Sequence, residues 1–377
     1  MNKNSTGALN PLTILIAPLD WGLGHATRCV PIIHELIEVK GTVIIAAEGP
    51  VKVVLKKEFP ELKIIPLKGY HINYSKTKAG FFSKLILQSP KIFNAINYEH
   101  NWLIRVIKTH KIDGVISDNR FGLWTKAVPC VYITHQLNLH SPNIALTILG
   151  QKVHYNFINR YTECWVPDYE ENGLAGKLSR PVNLPHIPLK YIGPLSRLQK
   201  KNVKKGLDIV VALSGPEPQR SILEKILAPQ IKQSGLRCVF VRGLPGETKT
   251  SYADNDNFKM YNHLPSDKFS EWMQKAQWVI CRSGYSSIMD LAVVGQKAIL
   301  VPTPGQTEQE YLAETVQAQH FFMAAKQEGF SLKAELEKAG KFNFKQVEIA
   351  PKNLKTAVKS FVEQIQLNTN KESTYFF

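Results

Sequence analysis

The segment Gly22-Leu23-Gly24-His25-Ala26-Thr27-Arg28 sets an imidazole and a guanidinium beside two glycines. Histidine is the side chain best suited to move a proton near pH 7. Glycines permit a tight turn, and the free N–H groups of a following helix can face an anion. His25 is therefore a candidate general base, with Gly22, Gly24 and Arg28 lining whatever binds beside it. Asp118 ends the apolar run IDGVIS, and His135 follows CVYIT, so both are expected at the same edge as His25. Either could be the base or orient a substrate, and His135 reads equally as a satisfied, half-buried histidine. Asp20, ending the first apolar run, is a weaker candidate. The loop has two other readings. One is a plain structural turn. The other is a nicotinamide site with Glu48 as its ribose-binding acid; Thr27 stands where its last glycine belongs.

A second constellation, Cys281-Arg-Ser-Gly-Tyr-Ser-Ser-Ile-Met-Asp-Leu-Ala292, is more specific. A strand ends in Arg282-Ser283-Gly284, a helix begins, and an acid lies one to two turns in. Backbone donors at Ser283 and Gly284 suit a diphosphate. Asp290 is too far along to cap the helix; it is expected on an exposed face, accepting hydrogen bonds from ribose hydroxyls. The strand AILVP and the polar loop TPGQTEQEY follow. Open α/β sheets bind ligands at that edge. Asp254-Asn-Asp256 could hold a metal, but its polar setting, SYADNDNFK, reads as a solvated loop, and no metal is expected.

These residues need elements to carry them. Short, branched, continuously apolar runs suit strands buried on both faces. They recur at Thr13–Leu19, Thr42–Ala47, Leu62–Leu67 (weaker), Ile112–Ser117 and Cys130–Thr134, with helical patterns between. The pattern restarts at Leu207–Leu213, followed by Arg237–Val241, Trp278–Cys281 and Ala298–Val301. The proline-rich, basic stretch 181–205 is the expected boundary. The spacing predicts tandem α/β domains over 1–195 and 206–355, then a helix and tail over 356–377 with fraying from Asn368. The chain has 377 residues, is 44% hydrophobic and carries 47 Lys+Arg against 31 Asp+Glu, a formal charge of +16. That surplus favours anionic partners. No RNA- or DNA-binding motif accompanies it, so nucleic acid is not expected; a non-catalytic nucleic-acid binder is the remote alternative. Five separated cysteines and no apolar leader or spanning segment suit a cytoplasmic location.

The segment CRSGYSSIMDLAVVGQKAILVPTPGQTEQEYLA resembles the carboxyl-terminal nucleotide-sugar motif of glycosyltransferase family 28. Cys281, Arg282, Ser283, Gly284, Ser287, Gly295, Val301, Pro302 and Gln309 match. Asp290 stands where the family usually has Glu, and Glu310 where it has a second Gln. GLGHATR resembles the superfamily's amino-terminal glycine loop. The resemblance implies a GT-B fold: two Rossmann-like domains facing across a cleft. It implies a nucleotide-sugar donor, UDP-linked by expectation, on the carboxyl domain. Ser214 and Gly215, opening that domain's first helix, would face the diphosphate, with Arg220 an extra cation or a solvated residue. His263 and Leu264 would lie near the base, while Arg282, Ser283, Gly284, Asp290, Gln309 and Glu310 would complete the donor site. It implies metal-independent inverting transfer without a cofactor, with His25 as base and Gly22, Gly24, Arg28 and His135 on the acceptor side. GLGHATRC also looks like the loop of a related nucleotide-sugar hydrolase, in which His25 would activate water. The acceptor could be a sugar or lipid-linked. The stretch 79–96, with Phe81, Phe82, Leu85, Ile86, Phe93, Ile96 and nearby lysines, could dock on an anionic membrane's inner face, or be an ordinary helix broken at Pro90.

Overall fold

Branched apolar runs can pair on both edges and be covered on both faces, and here they form two sheets, the first parallel and the second parallel except at one edge. A computed structural model describes residues 11–70, 89–139, 144–246, 251–255, 257–349 and 353–374. The first sheet contains β1 (Thr13–Pro18), β2 (Thr42–Ala46), β3 (Lys63–Ile65), β4 (Gly114–Asp118), β5 (Cys130–Ile133), β6 (Glu163–Val166) and β7 (Leu189–Tyr191), in the order β3-β2-β1-β4-β5-β6-β7. The second contains β8 (Leu207–Ala212), β9 (Cys238–Val241), β10 (Ser251–Asn255), β11 (Phe258–Tyr261), β12 (Ala276–Cys281), β13 (Ala298–Leu300) and β14 (Met323–Ala324), in the order β10-β11-β9-β8-β12-β13-β14. Strand order reverses beside β1 and beside β8. Such switch points open crevices at the carboxyl ends of strands. The register Pro18↔Asp118 puts Asp118 at the first, and Ala212↔Cys281 puts the Arg282 loop at the second.

Helices α1 (Leu23–Glu38) and α2 (Gly49–Glu58) follow β1 and β2. Helix α3 (Ser89–His110) precedes β4, and α4 (Ile144–Ile158) precedes β6. In the second half come α5 (Gln219–Ser234), α6 (Ser266–Lys275), α7 (Tyr285–Val294), α8 (Thr307–Ala318) and α9 (Leu332–Lys341). Helix α10 (Asn353–Thr374) returns to the first sheet: Phe361 meets Trp165 edge-on at 5.9 Å. A Cβ on Gly114 would lie 2.5 Å from Ile365 Cδ1, so this glycine leaves room for the returning helix.

Several expectations change. Residues 251–255 are a strand pairing antiparallel with β11, not a solvated loop. Helix α10 runs through Asn368 to Thr374. Pro90 is the second residue of α3, where its missing N–H costs no intrahelical bond. Ile96 is buried with Leu19, Tyr70 and Phe157, while Phe93 on the same helix is 48% exposed. Phe81, Phe82, Leu85 and Ile86 lie outside the described residues. Ser214 and Gly215 do not open α5, which begins at Gln219; they form the turn before it, with Gly215 at φ 97°. Arg220 is neither solvated nor an available cation: it is buried and paired with Glu217 and Glu224.

Candidate active site

His25 lies in the first turn of α1, immediately after the β1 loop, where Gly22 adopts φ 139°. Its Nδ1 is 3.0 Å from Asp118 Oδ2 and 2.9 Å from Arg28 Nη2. A neutral ring can use Nδ1 only as donor or as acceptor. Arg28 already gives both Nε and Nη2 to Asp118. A bare Nδ1 would also point its lone pair at the carboxylate, so the favoured tautomer donates Nδ1–H to Asp118 and leaves Nε2 able to take a proton. Burial pushes the His25 pKa down, and Arg28 adds to this against the pull of Asp118. Burial opposes charge on Asp118, yet Arg28 and His25 bring its pKa down to about 2. The ring is thus mainly neutral at pH 7 and held by a carboxylate that is ionised there. His25 and Asp118, considered separately as possible bases, form one unit with Arg28.

Gly24 lies hard against the second domain. Its carbonyl accepts from Ser286 Oγ at 3.1 Å, and a Cβ there would lie 2.7 Å from that oxygen. Ser286 belongs to α7 of the second domain. Beside it, Tyr285 stacks on His135 with centroids 4.2 Å apart and donates its hydroxyl to Pro167 O. His135 Nε2 bonds Glu308 of α8 at 2.8 Å. The burial of His135 therefore comes from the opposite domain rather than from its own core. Burial opposes charge on Glu308, but the His135 contact and the nearby Arg28 and His25 bring its carboxyl below the usual range. His25, Asp118, Arg28, His135 and Glu308 thus gather where the domains meet.

On the carboxyl side, α7 begins after Gly284 with no side-chain cap and no acid in its first turn. Ser283 is buried, and its hydroxyl is engaged with Gln309 O, so only its backbone remains a candidate donor. Arg282 is also buried. Its guanidinium reaches Val301 O, Pro302 O, Gln219 O and Gln327 Oε1, tying the ends of two strands to α5. That geometry engages both Nη atoms of Arg282 with protein acceptors. Gln309 accepts from Thr303 N and Glu310 from Gly305 N, so each orders the loop after β13. Asp290 is not on an exposed face: it is 9% exposed and accepts from Ser196 Oγ. Burial raises its pKa to about 6, against the pull of Arg197 and Ser196. Leu264 is buried. Burial, with Arg197 and Lys57, lowers His263 to about 4. Arg197 spans the domains, bonding Glu58 Oε1 and Ser266 Oγ. Ser196, Arg197, Tyr285, Ser286 and Glu308 carry no local sequence signal; their partners lie across the domain boundary. No group of three potential metal ligands occurs among the described residues.

Residues 224–365 match the family model of the glycosyltransferase family 28 C-terminal domain. That stretch is similar to the family's carboxyl-terminal domain, and the chain has a GT-B fold. It is an enzyme of the glycosyltransferase type. The glycotransferase of kitacinnamycin aligns at a TM-score of 0.62 and 12% identity, over 95% of each chain. MurG of Acinetobacter baumannii aligns at 0.54 and 13%, covering 94% of this chain and 100% of its own. The spinosyn rhamnosyltransferase SpnG, in complex with thymidine diphosphate, aligns at 0.57 and 13%, covering 94% and 96%. These likenesses are of fold. No curated protein matches in sequence.

Proposed function

We propose that this glycosyltransferase moves a hexose-type sugar from a nucleotide diphosphate donor, of the UDP class, to an acceptor hydroxyl with inversion. The observation that carries the reading is the His25–Asp118–Arg28 unit, placed on the amino domain opposite the start of α7. The donor would occupy the carboxyl domain, with its diphosphate toward the Ser214-Gly215 turn and the backbone of Ser283 and Gly284, and its ribose toward Asp290. The acceptor would lie on the amino side near Gly22, Arg28 and His135. His25 Nε2 would take the acceptor proton as the hydroxyl oxygen attacks the anomeric carbon and the nucleotide diphosphate leaves. Asp118 would stabilise the resulting imidazolium. The acceptor would be a sugar or a lipid-linked molecule, and the exposed Phe93 would belong to the membrane-facing surface. A cytoplasmic enzyme at the inner membrane face is the corresponding location. No helix among the described residues is long and apolar enough to cross a membrane.

Hydrolysis is the second reading, favoured by one observation: direct contact between the domains leaves the His25 side chain 17% exposed, better matched to water than to a bulky acceptor. A panel of UDP- and dTDP-sugars, followed by product analysis with and without candidate acceptors, tests both. Acceptor-dependent glycoside of inverted configuration supports transfer. Free sugar at an acceptor-independent rate supports hydrolysis, and no nucleotide release from any donor overturns both.

A further inference from the structure

The segment joining the domains carries a hydroxyl whose bonding is fully directed. Ser196 Oγ accepts from Leu198 N at 3.0 Å and donates to Asp290 Oδ1 at 2.5 Å. Its neighbours are fixed as well. Leu195 N points to Met289 Sδ at 3.1 Å, and Arg197 is held by Glu58 and Ser266. Asp290 retains a small exposed surface, and no hydrogen bond occupies its Oδ2 among the described residues. A carboxylate has two oxygens and about four acceptor positions, so one oxygen can be anchored while the other binds a ligand.

We propose that Ser196 is a positioning residue for the nucleotide donor: its hydroxyl anchors one oxygen of Asp290 so that the other meets the ribose hydroxyls. This rests on the reading of Asp290 as the ribose acceptor. A carboxylate held at one oxygen keeps the direction of the other fixed, so the anchor sets where Asp290 can accept. The anchor also acts electrostatically. A hydrogen bond donated to a carboxylate favours its charged form. Burial disfavours that form, while Ser196 and Arg197 support it; Cys281 is the other titratable group coupled to it. Without the hydroxyl, Asp290 would hold its proton to higher pH and lose acceptor strength.

The test is calorimetric titration of the full chain with UDP-glucose from pH 5 to 8; its diphosphate diester carries no proton that titrates there. Asp290→Ala should weaken binding about 10- to 100-fold, the value of hydrogen bonds to a charged group. Ser196→Ala should weaken it about 3- to 10-fold at pH 7, and Ser196→Thr should restore it. Affinity should fall as pH drops through the Asp290 pKa, with the midpoint displaced upward in Ser196→Ala. Carbon-13 NMR of the Asp290 carboxyl should show the same displacement without ligand, and thermal melting confirms that each variant is folded. If Asp290→Ala loses binding while Ser196→Ala matches wild type in affinity and midpoint, the positioning role is overturned and the donor reading stands. If Asp290→Ala binds normally, or wild type ignores UDP-glucose, the ribose reading falls and the proposal with it.

Discussion

Replacing Asp118 with Asn changes one oxygen to NH2, and the structure lets both consequences be sized. Asp118 is fully buried and serves as the counter-ion of Arg28, itself only 3% exposed. Removing one partner of a buried pair costs about 3–5 kcal/mol, because the remaining charge stays desolvated. At about 2–4 °C per kcal/mol for a domain near 200 residues, the melting temperature should fall by roughly 6–20 °C. The chemistry should suffer independently. If the amide oxygen keeps Arg28, the amide NH2 faces His25 Nδ1 and selects the tautomer protonated at Nε2, which cannot act as base. Turnover should drop about 10²- to 10⁴-fold. Acid sensitivity gives a third signature. A depressed carboxylate pKa contributes stability present above the unfolded-state value and lost as pH falls through the folded value. With 3.8 as the ordinary value and about 2 here, the window is pH 4 to 2 and the contribution roughly 2–3 kcal/mol. The Asp118→Asn variant should lack that portion of the acid dependence. Thermal melts at pH 2–7 and a nucleotide-release assay measure all three effects. A variant melting within 2–3 °C of wild type (about 1 kcal/mol) and retaining turnover would refute both the buried-pair and the tautomer argument.

Other expectations follow from neighbouring contacts. His25→Ala should lower turnover at least about 10²-fold with donor affinity held, since the imidazole lies on the acceptor domain; survival of turnover in steady-state assays moves the base elsewhere. The acid limb of kcat/KM should titrate below 6.5, because a base must be neutral and burial lowers His25; a limb above 7 contradicts this environment. Gly24→Ala should drive α7 away from the α1 loop and reduce kcat/KM, and Ser286→Gly should partly restore it in the double variant; additive losses would remove the close approach as the cause. Phe93→Ser should reduce co-sedimentation with anionic vesicles at low salt while melting is unchanged; equal sedimentation removes this face as a docking surface.

The readable and unreadable parts of the chain divide along a physical line. TILIAP and LDIVVA announce central strands because a parallel sheet covered on both faces tolerates no polar alternation, and each glycine loop follows such a strand directly. Asp118 is individually legible as a residue at a strand end and His25 as one inside a glycine loop. Their pairing across 93 residues is not, since it follows from β1 and β4 being adjacent at the switch point. The burial of Asp290 has a cue in the sequence. Its helix, YSSIMDLAVV, is apolar around most of its circumference, and such helices are buried. Arg282 and Arg220 had no periodic signal, because a buried guanidinium satisfied by carbonyls and acids reads locally like any surface arginine. Gly24–Ser286 and His135–Glu308 are separated by 262 and 173 residues and exist only through domain docking, which no local pattern encodes.

Charge at the domain junction indicates how the proposed leaving group would be received. Arg28 is neutralised by Asp118, so it is not a free cation for a departing diphosphate. Arg282 is spent on carbonyls and Gln327, and Arg220 on Glu217 and Glu224. Helix α8 presents Glu308 and Glu310 in its first turn, which oppose an added anion there. Helix α7 differs, with an uncapped start and no acid in its first turn. On the proposed reading, the negative charge developing on the diphosphate therefore falls to the α7 terminus and the Ser214-Gly215 turn, through backbone N–H groups. Dipoles of this kind need no reorganisation when charge develops, but they act over about one turn. The sugar diphosphate must then sit close against the start of α7, the same turn whose Ser286 holds the His25 loop. One helix terminus would thus set both the leaving group and the base, which makes the Gly24–Ser286 contact part of the alignment for in-line attack.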